Sequence, residues 1–244
     1  MKILLILVLV LGLGGGIYVS QKNTASDSTA IENKAETNTA NTVATTPPAS
    51  ETATAVSAPS TVSLKTGTYA LIQNESSIAW EASKPLISGY THTGTIGLSK
   101  GELVVKGSAL SGNFTIDMNT IKVTSLGGGK AGKETALEGH LKGDNFFGTT
   151  SFPTGSFTID SVTANSSSNS YTVRGNLTLK GVTKPVEFPV TITQSGDGKI
   201  TAKGPVAINR TLWGITYASG NFYDNLANNA IDDTIKLQLT LVAK

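Results

Sequence analysis

Tyr171-Thr172-Val173-Arg174-Gly175-Asn176-Leu177-Thr178-Leu179-Lys180-Gly181-Val182-Thr183-Lys184-Pro185-Val186-Glu187-Phe188-Pro189-Val190-Thr191-Ile192-Thr193 is the stretch whose reading decides the fold. Its first half alternates. Tyr171, Val173, Gly175, Leu177 and Leu179 share one side, and Thr172, Arg174, Asn176, Thr178 and Lys180 the other. A period of two marks a strand with one buried and one wet face. The run breaks at Gly181-Val182-Thr183-Lys184-Pro185, where glycine permits a turn and Pro185 brings no N–H to a central ladder. Alternation then resumes, with Val186, Phe188, Val190 and Ile192 against Glu187, Pro189, Thr191 and Thr193. The segment reads as a β-hairpin, apolar inside and polar outside. Two strands are unstable alone, so further strands must cover the apolar face.

Working outward, the same signal recurs on both sides. Upstream, strands are expected over Thr68–Ile72 and Ser77–Ser83, then over Tyr90–Leu98 and Gly101–Lys106 around a Ser99-Lys100-Gly101 turn, then over Asn113–Met118 and Gly155–Val162. Asn165–Ser170 is the turn into the hairpin. Downstream, Gly196-Asp197-Gly198 turns into Lys199–Ala202, Pro205–Trp213 makes another strand, and Ile235, Leu237, Leu239 and Leu241 alternate in a last one. Thr135–Asn145 and Asn221–Ala230 are expected to hold short helices or irregular crossings. Strands at spacings of about ten residues, eight or so in all, indicate an all-β antiparallel barrel or a sandwich, and the pattern does not separate the two.

Three blocks carry a resemblance to a known family. They are Gly139-His140-Leu141-Lys142-Gly143-Asp144-Asn145-Phe146-Phe147, Gly175-Asn176-Leu177-Thr178-Leu179-Lys180-Gly181-Val182-Thr183-Lys184-Pro185-Val186 and Asn209-Arg210-Thr211-Leu212-Trp213-Gly214-Ile215-Thr216-Tyr217. In order and spacing they resemble the YceI family, over roughly Gly67 to Lys244. The resemblance implies an extended lipocalin-like β-barrel of about eight strands with short helical crossings, whose interior is either filled or open to one small ligand. It also implies an extracytoplasmic carrier of long apolar molecules such as polyisoprenoids, isoprenoid quinones or fatty-acid amides, with no catalytic residue and no cofactor. Asn145 and Asn209 stand where the family pattern leads one to expect acids.

The remaining chain frames that domain. Lys2 precedes an apolar run from Ile3 to Leu13, then Gly14-Gly15-Gly16 and Ile17-Tyr18-Val19. Residues 1–20 therefore read as a signal peptide or an N-terminal membrane anchor. The anchor is favoured, because no small-x-small cleavage site follows Val19 and roughly 17 apolar residues reach the lower edge of a spanning length. Residues 21–64 are a Thr/Ala/Ser/Asn/Pro linker without an aromatic residue, too poor in aliphatics to offset the entropy of ordering. As a coil of about 43 residues it spans roughly 35–40 Å, which suits a tether. Residues 65–244 form the barrel domain. The formal net charge is only +2, which gives no reason to expect a nucleic-acid partner. With Cys at 0, disulfides, thiolate metal sites and a cysteine nucleophile are excluded.

Few residues invite chemistry. Gly127–Lys133 matches the spacing of a phosphate-binding loop, but Glu134 stands where Ser or Thr should hold magnesium, and the parallel strand-to-helix setting is missing. His92 and His140 are the only 2 histidines, too few and too isolated for a metal site or a catalytic base, so each reads as a loop anchor. Phe146 and Phe147 would face opposite ways in an extended chain, at least one packing in the core and the other meeting a ligand or the lid of the barrel. Arg210 shares its parity with Val206, Ile208 and Leu212, so its guanidinium points inward or closes one end, with Asp232, Asp233 and Asp117 as candidate partners. Asn113-Phe114-Thr115 and Asn176-Leu177-Thr178 lie within strands and read as composition, not glycan sites.

The expected ligand-binding set is Trp80, Phe114, Phe146, Phe147, Phe157, Tyr171, Val173, Gly175, Leu177, Phe188, Arg210, Trp213, Phe222 and Leu237, with a cavity expected beside Gly175. The expected partners are an isoprenoid or other long-chain lipid and the membrane through the N-terminal segment, while a homodimer stays open. Two other classes stay open as well: a tethered structural or stress-related surface module with a filled barrel, and a lipid-acting enzyme, for which the residues offer no convincing nucleophile–base pair.

Overall fold

The computed structural model describes residues 64–128 and 131–244. The expected N-terminal segment, most of the linker, and Gly129-Lys130 of the glycine-rich loop lie outside these residues. The described chain runs β1 Gly67–Ala70, β2 Ser77–Ser83, β3 Thr91–Lys106, β4 Ala109–Leu126, α1 Glu134–Lys142, β5 Thr154–Ala164, β6 Ser170–Leu179, β7 Val182–Gln194, β8 Ile200–Asn209 and β9 Thr234–Ala243. Neighbours pair antiparallel in the order β3-β2-β9-β8-β7-β6-β5-β4, and β4 pairs back onto β3. The sheet thus closes into an eight-stranded barrel. β1 extends β2 along the same edge of β3, from Gly67↔Val105 to Ala70↔Glu102, and a short 3₁₀ turn at Gln73–Glu75 separates the two. Closure removes the free edges that would otherwise recruit other chains.

The hairpin that decides the fold forms with Ser170↔Thr191 at one end and Leu179↔Val182 at the other. Its loop is only Lys180-Gly181, with φ of 48° and 74°. Two positive φ values in succession make the twist-matched two-residue turn. β7 therefore starts before Pro185, and that proline lies inside the strand, opposite Asn176. It is tolerated because β7 pairs with β8 only from Thr191↔Lys203 to Gln194↔Ile200, so the stretch holding Pro185 and Pro189 has a ladder on one side alone.

One expected turn and one expected separation of strands are absent. Ser99-Lys100-Gly101 runs straight through β3, where the register against β4 shifts between Leu98 and Lys100. The glycine and polar residues mark a bulge in a long strand, not its end. Lys199–Ala202 and Pro205–Asn209 likewise merge into β8, and the chain then leaves the sheet in a 3₁₀ turn, Arg210–Trp213. Asn209 caps that turn, its Oδ1 accepting from the Thr211 N–H at 3.0 Å and the Thr211 hydroxyl at 2.7 Å. The change of period breaks the expected parity. Arg210 is buried, whereas Leu212 is 53% exposed.

Inward residues from every barrel strand make one core, including Ile78, Val105, Ile116, Ile121, Val173, Val190, Ile200 and Leu241. Each such side chain contributes roughly 1.5–3 kcal/mol by leaving water. Two glycines set how closely aromatics approach the wall. A Cβ on Gly94 would sit 2.4 Å from the Trp80 ring, and one on Gly175 would sit 2.5 Å from the Phe157 ring and 2.3 Å from the Thr158 carbonyl oxygen. Each glycine lets an indole or phenyl ring lie flat on the neighbouring strand. Phe157 covers Gly175 itself, so the glycine does not line the inner space bordered by its neighbours Val173 and Leu177 and its partners Ile159 and Val186.

Candidate functional site

The barrel opens at the end where β2 finishes and β3 begins. There a mouth of about 710 Å³ is lined by Trp80 and Ala82 of β2, Tyr90 and His92 around the start of β3, Leu137 and His140 of α1, and residues of the loop between β8 and β9. Below it lies a cavity of about 90 Å³. Trp80, Ala82, Leu141, Phe146 and Ile231 border both, so they form a neck between mouth and lumen. A second inner cavity, about 110 Å³, continues toward the far end. Ile78, Ile116, Leu177 and Leu237 border both inner spaces.

The polarity changes along this path. The deeper cavity is walled by aliphatic and aromatic side chains alone, among them Phe114, Phe157, Val173 and Phe188. The upper one adds a single polar residue, Arg210. The mouth is mixed, with Lys84, His92, His140 and Asn145 but no Asp or Glu among its described lining residues.

Helix α1 roofs the mouth. Glu138 pins it to β4, one carboxylate oxygen accepting from the Val123 N–H at 3.0 Å and the other from Lys122 Nζ at 3.3 Å. The Val123 N–H, helped by Lys122, holds the Glu138 carboxyl below the usual carboxylate range. Leu137 and Leu141 then face inward against the core. Phe146 and Phe147 follow α1 in a turn, not in a strand, so they do not diverge as expected: both border the upper cavity, and Phe146 also reaches the mouth. His140 is held in a cluster of rings, 5.0 Å from Phe146 and 5.2 Å from Tyr217, where an anchoring hydrogen bond was expected.

Arg210 builds the opposite side of the neck. It is 1% exposed and all five of its N–H groups are engaged. Nε donates to the Asp232 carbonyl at 3.0 Å, Nη1 to the carbonyls of Ile215 at 2.8 Å and Tyr217 at 2.9 Å, and Nη2 to the Ile231 carbonyl and Asp233 Oδ1, both at 3.1 Å. Asp233 Oδ2 in turn accepts from Ser219 Oγ at 2.8 Å and Asn221 Nδ2 at 2.7 Å. Burial lowers the proton affinity of the guanidinium, while Asp233 and Asp232 push it back up. This is the end-closing charge expected of Arg210, and no N–H is left over for a ligand. Of the expected partners, Asp117 is elsewhere, accepting from the Asn119 N–H at 3.0 Å.

Other members of the expected set fall in different places. Trp80, Phe114, Phe146, Phe147, Phe157, Val173, Leu177, Phe188 and Leu237 border the mouth or the lumen. Tyr171 and Trp213 are buried in the core, outside the walls of these cavities, and the Trp213 indole N–H donates to the Leu177 carbonyl at 3.1 Å. Phe222 is 38% exposed in the β8–β9 loop and is not a lumen residue, because that stretch is held outside the sheet by Ser219 and Asn221. His92 and Ala82 were absent from the set and are central to the neck and mouth. The signal was present: His92 shares its parity with Gly94, Ile96 and Leu98, an imidazole on an apolar face.

An antiparallel barrel whose apolar lumen opens through an aromatic neck onto a mixed mouth defines a lipocalin-like class of barrel. The chain belongs to the YceI family, whose YceI-like domain matches residues 69–243. No curated protein matches it. Among solved structures, BcnA of Burkholderia cenocepacia shares the fold at 20% identity with a TM-score of 0.54, over 70% of this chain and 98% of that one. A polyisoprenoid binding domain from Saccharophagus degradans, implicated in plant cell wall breakdown, shares it at 16% identity with a TM-score of 0.50, over 74% of this chain and 99% of that one.

Proposed function

We propose that this protein is an extracytoplasmic binding protein that sequesters a long apolar molecule, a polyisoprenoid, isoprenoid quinone or fatty-acid amide, in its lumen. The observation that carries this reading is the continuity from mouth through neck to a wall without polar side chains. Each methylene transferred from water to such a wall gains about 0.8 kcal/mol. Membership of the YceI family and the likeness to a polyisoprenoid binding domain support the same ligand class. The inner spaces are each smaller than the ~150 Å³ that admits a benzene ring. A long chain therefore spreads the side chains around it or keeps part of its length in the mouth. No step of this function needs a nucleophile or a metal.

Organic extraction of the purified full-length protein, followed by mass spectrometry, is expected to release a prenyl or long acyl lipid in near-stoichiometric amount. Protein that carries none, and that takes up no prenyl or acyl probe, overturns the reading. The location rests on Met1–Val19 as an uncleaved anchor and residues 21–64 as its tether. Fractionation should then find the protein with membranes and its mature N-terminus intact. A soluble product starting near Gln21 would reduce that segment to a signal peptide.

A further inference from the structure

We propose that the neck of the barrel is a head-group site: Trp80 Nε1 and His92 Nδ1 together bind one uncharged oxygen, carbonyl or hydroxyl, at the polar end of the ligand. This rests on the lumen reading and adds to it the chemistry of the end that stays in the mouth.

Two buried polar atoms among the described residues have no hydrogen-bond partner in the protein, and they are these two. Buried polar groups are ordinarily satisfied, so two orphans are notable in themselves. Their placement says more. Trp80 pairs with Gly94 and Ala82 with His92, so the two side chains sit on opposite strands of one pair, on the same face and two rungs apart. Both residues border the mouth, and Trp80 also borders the cavity below, but the two nitrogens themselves are closed off from solvent, so the ligand's oxygen reaches them as the rings move apart. Trp80 is 8% exposed, and Gly94 holds its ring flat on β3 because any Cβ there would strike the indole. The other tryptophan shows what the fold does with an indole that has no such position: Trp213 Nε1 donates to a backbone carbonyl.

The chemistry of the atoms selects the ligand. An indole N–H can only donate, so the group it meets must accept. Burial, and then the nearby Lys84 ammonium, lower the proton affinity of His92, so its imidazole is neutral near pH 7. A neutral imidazole can donate to a carbonyl or accept from a hydroxyl, and either oxygen would satisfy both orphans. A phosphate fits less well. Its charge would be buried against two neutral groups at the neck; Lys84 Nζ, which donates to Asn229 Oδ1 at 3.4 Å and lies over the Tyr90 ring, keeps donors at the mouth, so a phosphate held there is the competing outcome. With no carboxylate among the described lining of the mouth, a cationic head has no counter-ion there.

The test uses full-length protein and one C20 prenyl tail with four ends: a plain hydrocarbon, a primary alcohol, an aldehyde and a monophosphate. Wild type should bind the alcohol and aldehyde about tenfold more tightly than the hydrocarbon, as one buried hydrogen bond would give. Trp80→Phe and His92→Phe should each erase that preference, read within each variant as the ratio of alcohol or aldehyde affinity to hydrocarbon affinity. His92→Gln, which keeps a donor and an acceptor, should restore part of it. The chain has only 2 tryptophans, so the indole ¹H–¹⁵N signal lost in Trp80→Phe is assigned at once. It should move downfield with the alcohol and aldehyde but not with the hydrocarbon. Equal binding of all four probes by wild type and variants, or a preferred phosphate whose affinity Trp80→Phe leaves unchanged, overturns the head-group site while the lumen reading stands. Failure of wild type to bind any probe overturns both.

Discussion

Arg210→Ala should cost about 3–5 kcal/mol of stability, the loss seen when one partner of a buried charge network is removed. The figure follows from what the guanidinium holds. All four of its carbonyl partners, Ile215, Tyr217, Ile231 and Asp232, belong to the loop that bridges β8 to β9 over the mouth, and that loop has little regular structure of its own. Removing Arg210 strands those carbonyls away from water and leaves the part-buried Asp233 carboxylate without its cation, held only by Ser219 and Asn221. Arg210→Lys should recover only part of the loss, because one ammonium cannot reproduce a planar fork with five donors. A denaturant titration reads both variants. An unchanged midpoint for Arg210→Ala would place the guanidinium in solvent. The same loop carries Tyr217 and Ile231 into the mouth, so a surviving fraction of the variant should also release an apolar ligand faster.

The sequence made some of this readable and hid the rest, for definite reasons. The hairpin was legible because every second residue from Tyr171 to Leu179 is buried, a period that only a strand on a core produces. The last strand was legible on the same ground. The barrel itself was not: β3 and β4 are a local hairpin, so closure depends on β2 meeting β9, far away in the sequence, and alternation is equally strict in a sandwich. Local turn chemistry misled at Ser99-Lys100-Gly101, where a bulge in a long strand uses the same residues as a turn. It misled again at Arg210, where parity was carried past Asn209 into a 3₁₀ turn of different period. Gly175 looked like missing volume, yet volume at a glycine belongs to whichever neighbour fills it, here Phe157. The aromatic and aliphatic wall of the lumen could be drawn up from inward parity. The neck was legible only at Trp80 on β2 and at Phe146, because Leu141 and Ile231 reach it from α1 and the β8–β9 loop, outside the sheet.

Ala82→Phe should all but abolish ligand uptake while leaving the fold nearly as stable as wild type. Ala82 borders both the mouth and the upper cavity, and its cross-strand neighbour is His92. A phenyl ring there would fill the neck, between Trp80 and Phe146, and its bulk can extend into the mouth, which has about 710 Å³ to receive it. Overpacking strain should therefore stay below the usual 1–3 kcal/mol. The effect on binding is larger. A tail of ten methylenes kept out of the lumen forfeits about 8 kcal/mol of transfer free energy. Even if two thirds of that were recovered in the mouth, the remainder is about a hundredfold in Kd. Gly175→Leu is the contrasting variant. Its Cβ would meet the Thr158 carbonyl oxygen at 2.3 Å, a backbone atom with nowhere to go, so it should lose about 1–3 kcal/mol or more and weaken binding only as the barrel unfolds. Binding of a fluorescent C18 acyl probe and thermal melting, measured on both variants, separate a plugged neck from a damaged barrel. Wild-type affinity in a folded Ala82→Phe protein would mean that the chain never passes the neck, and the lumen would then not be the binding site.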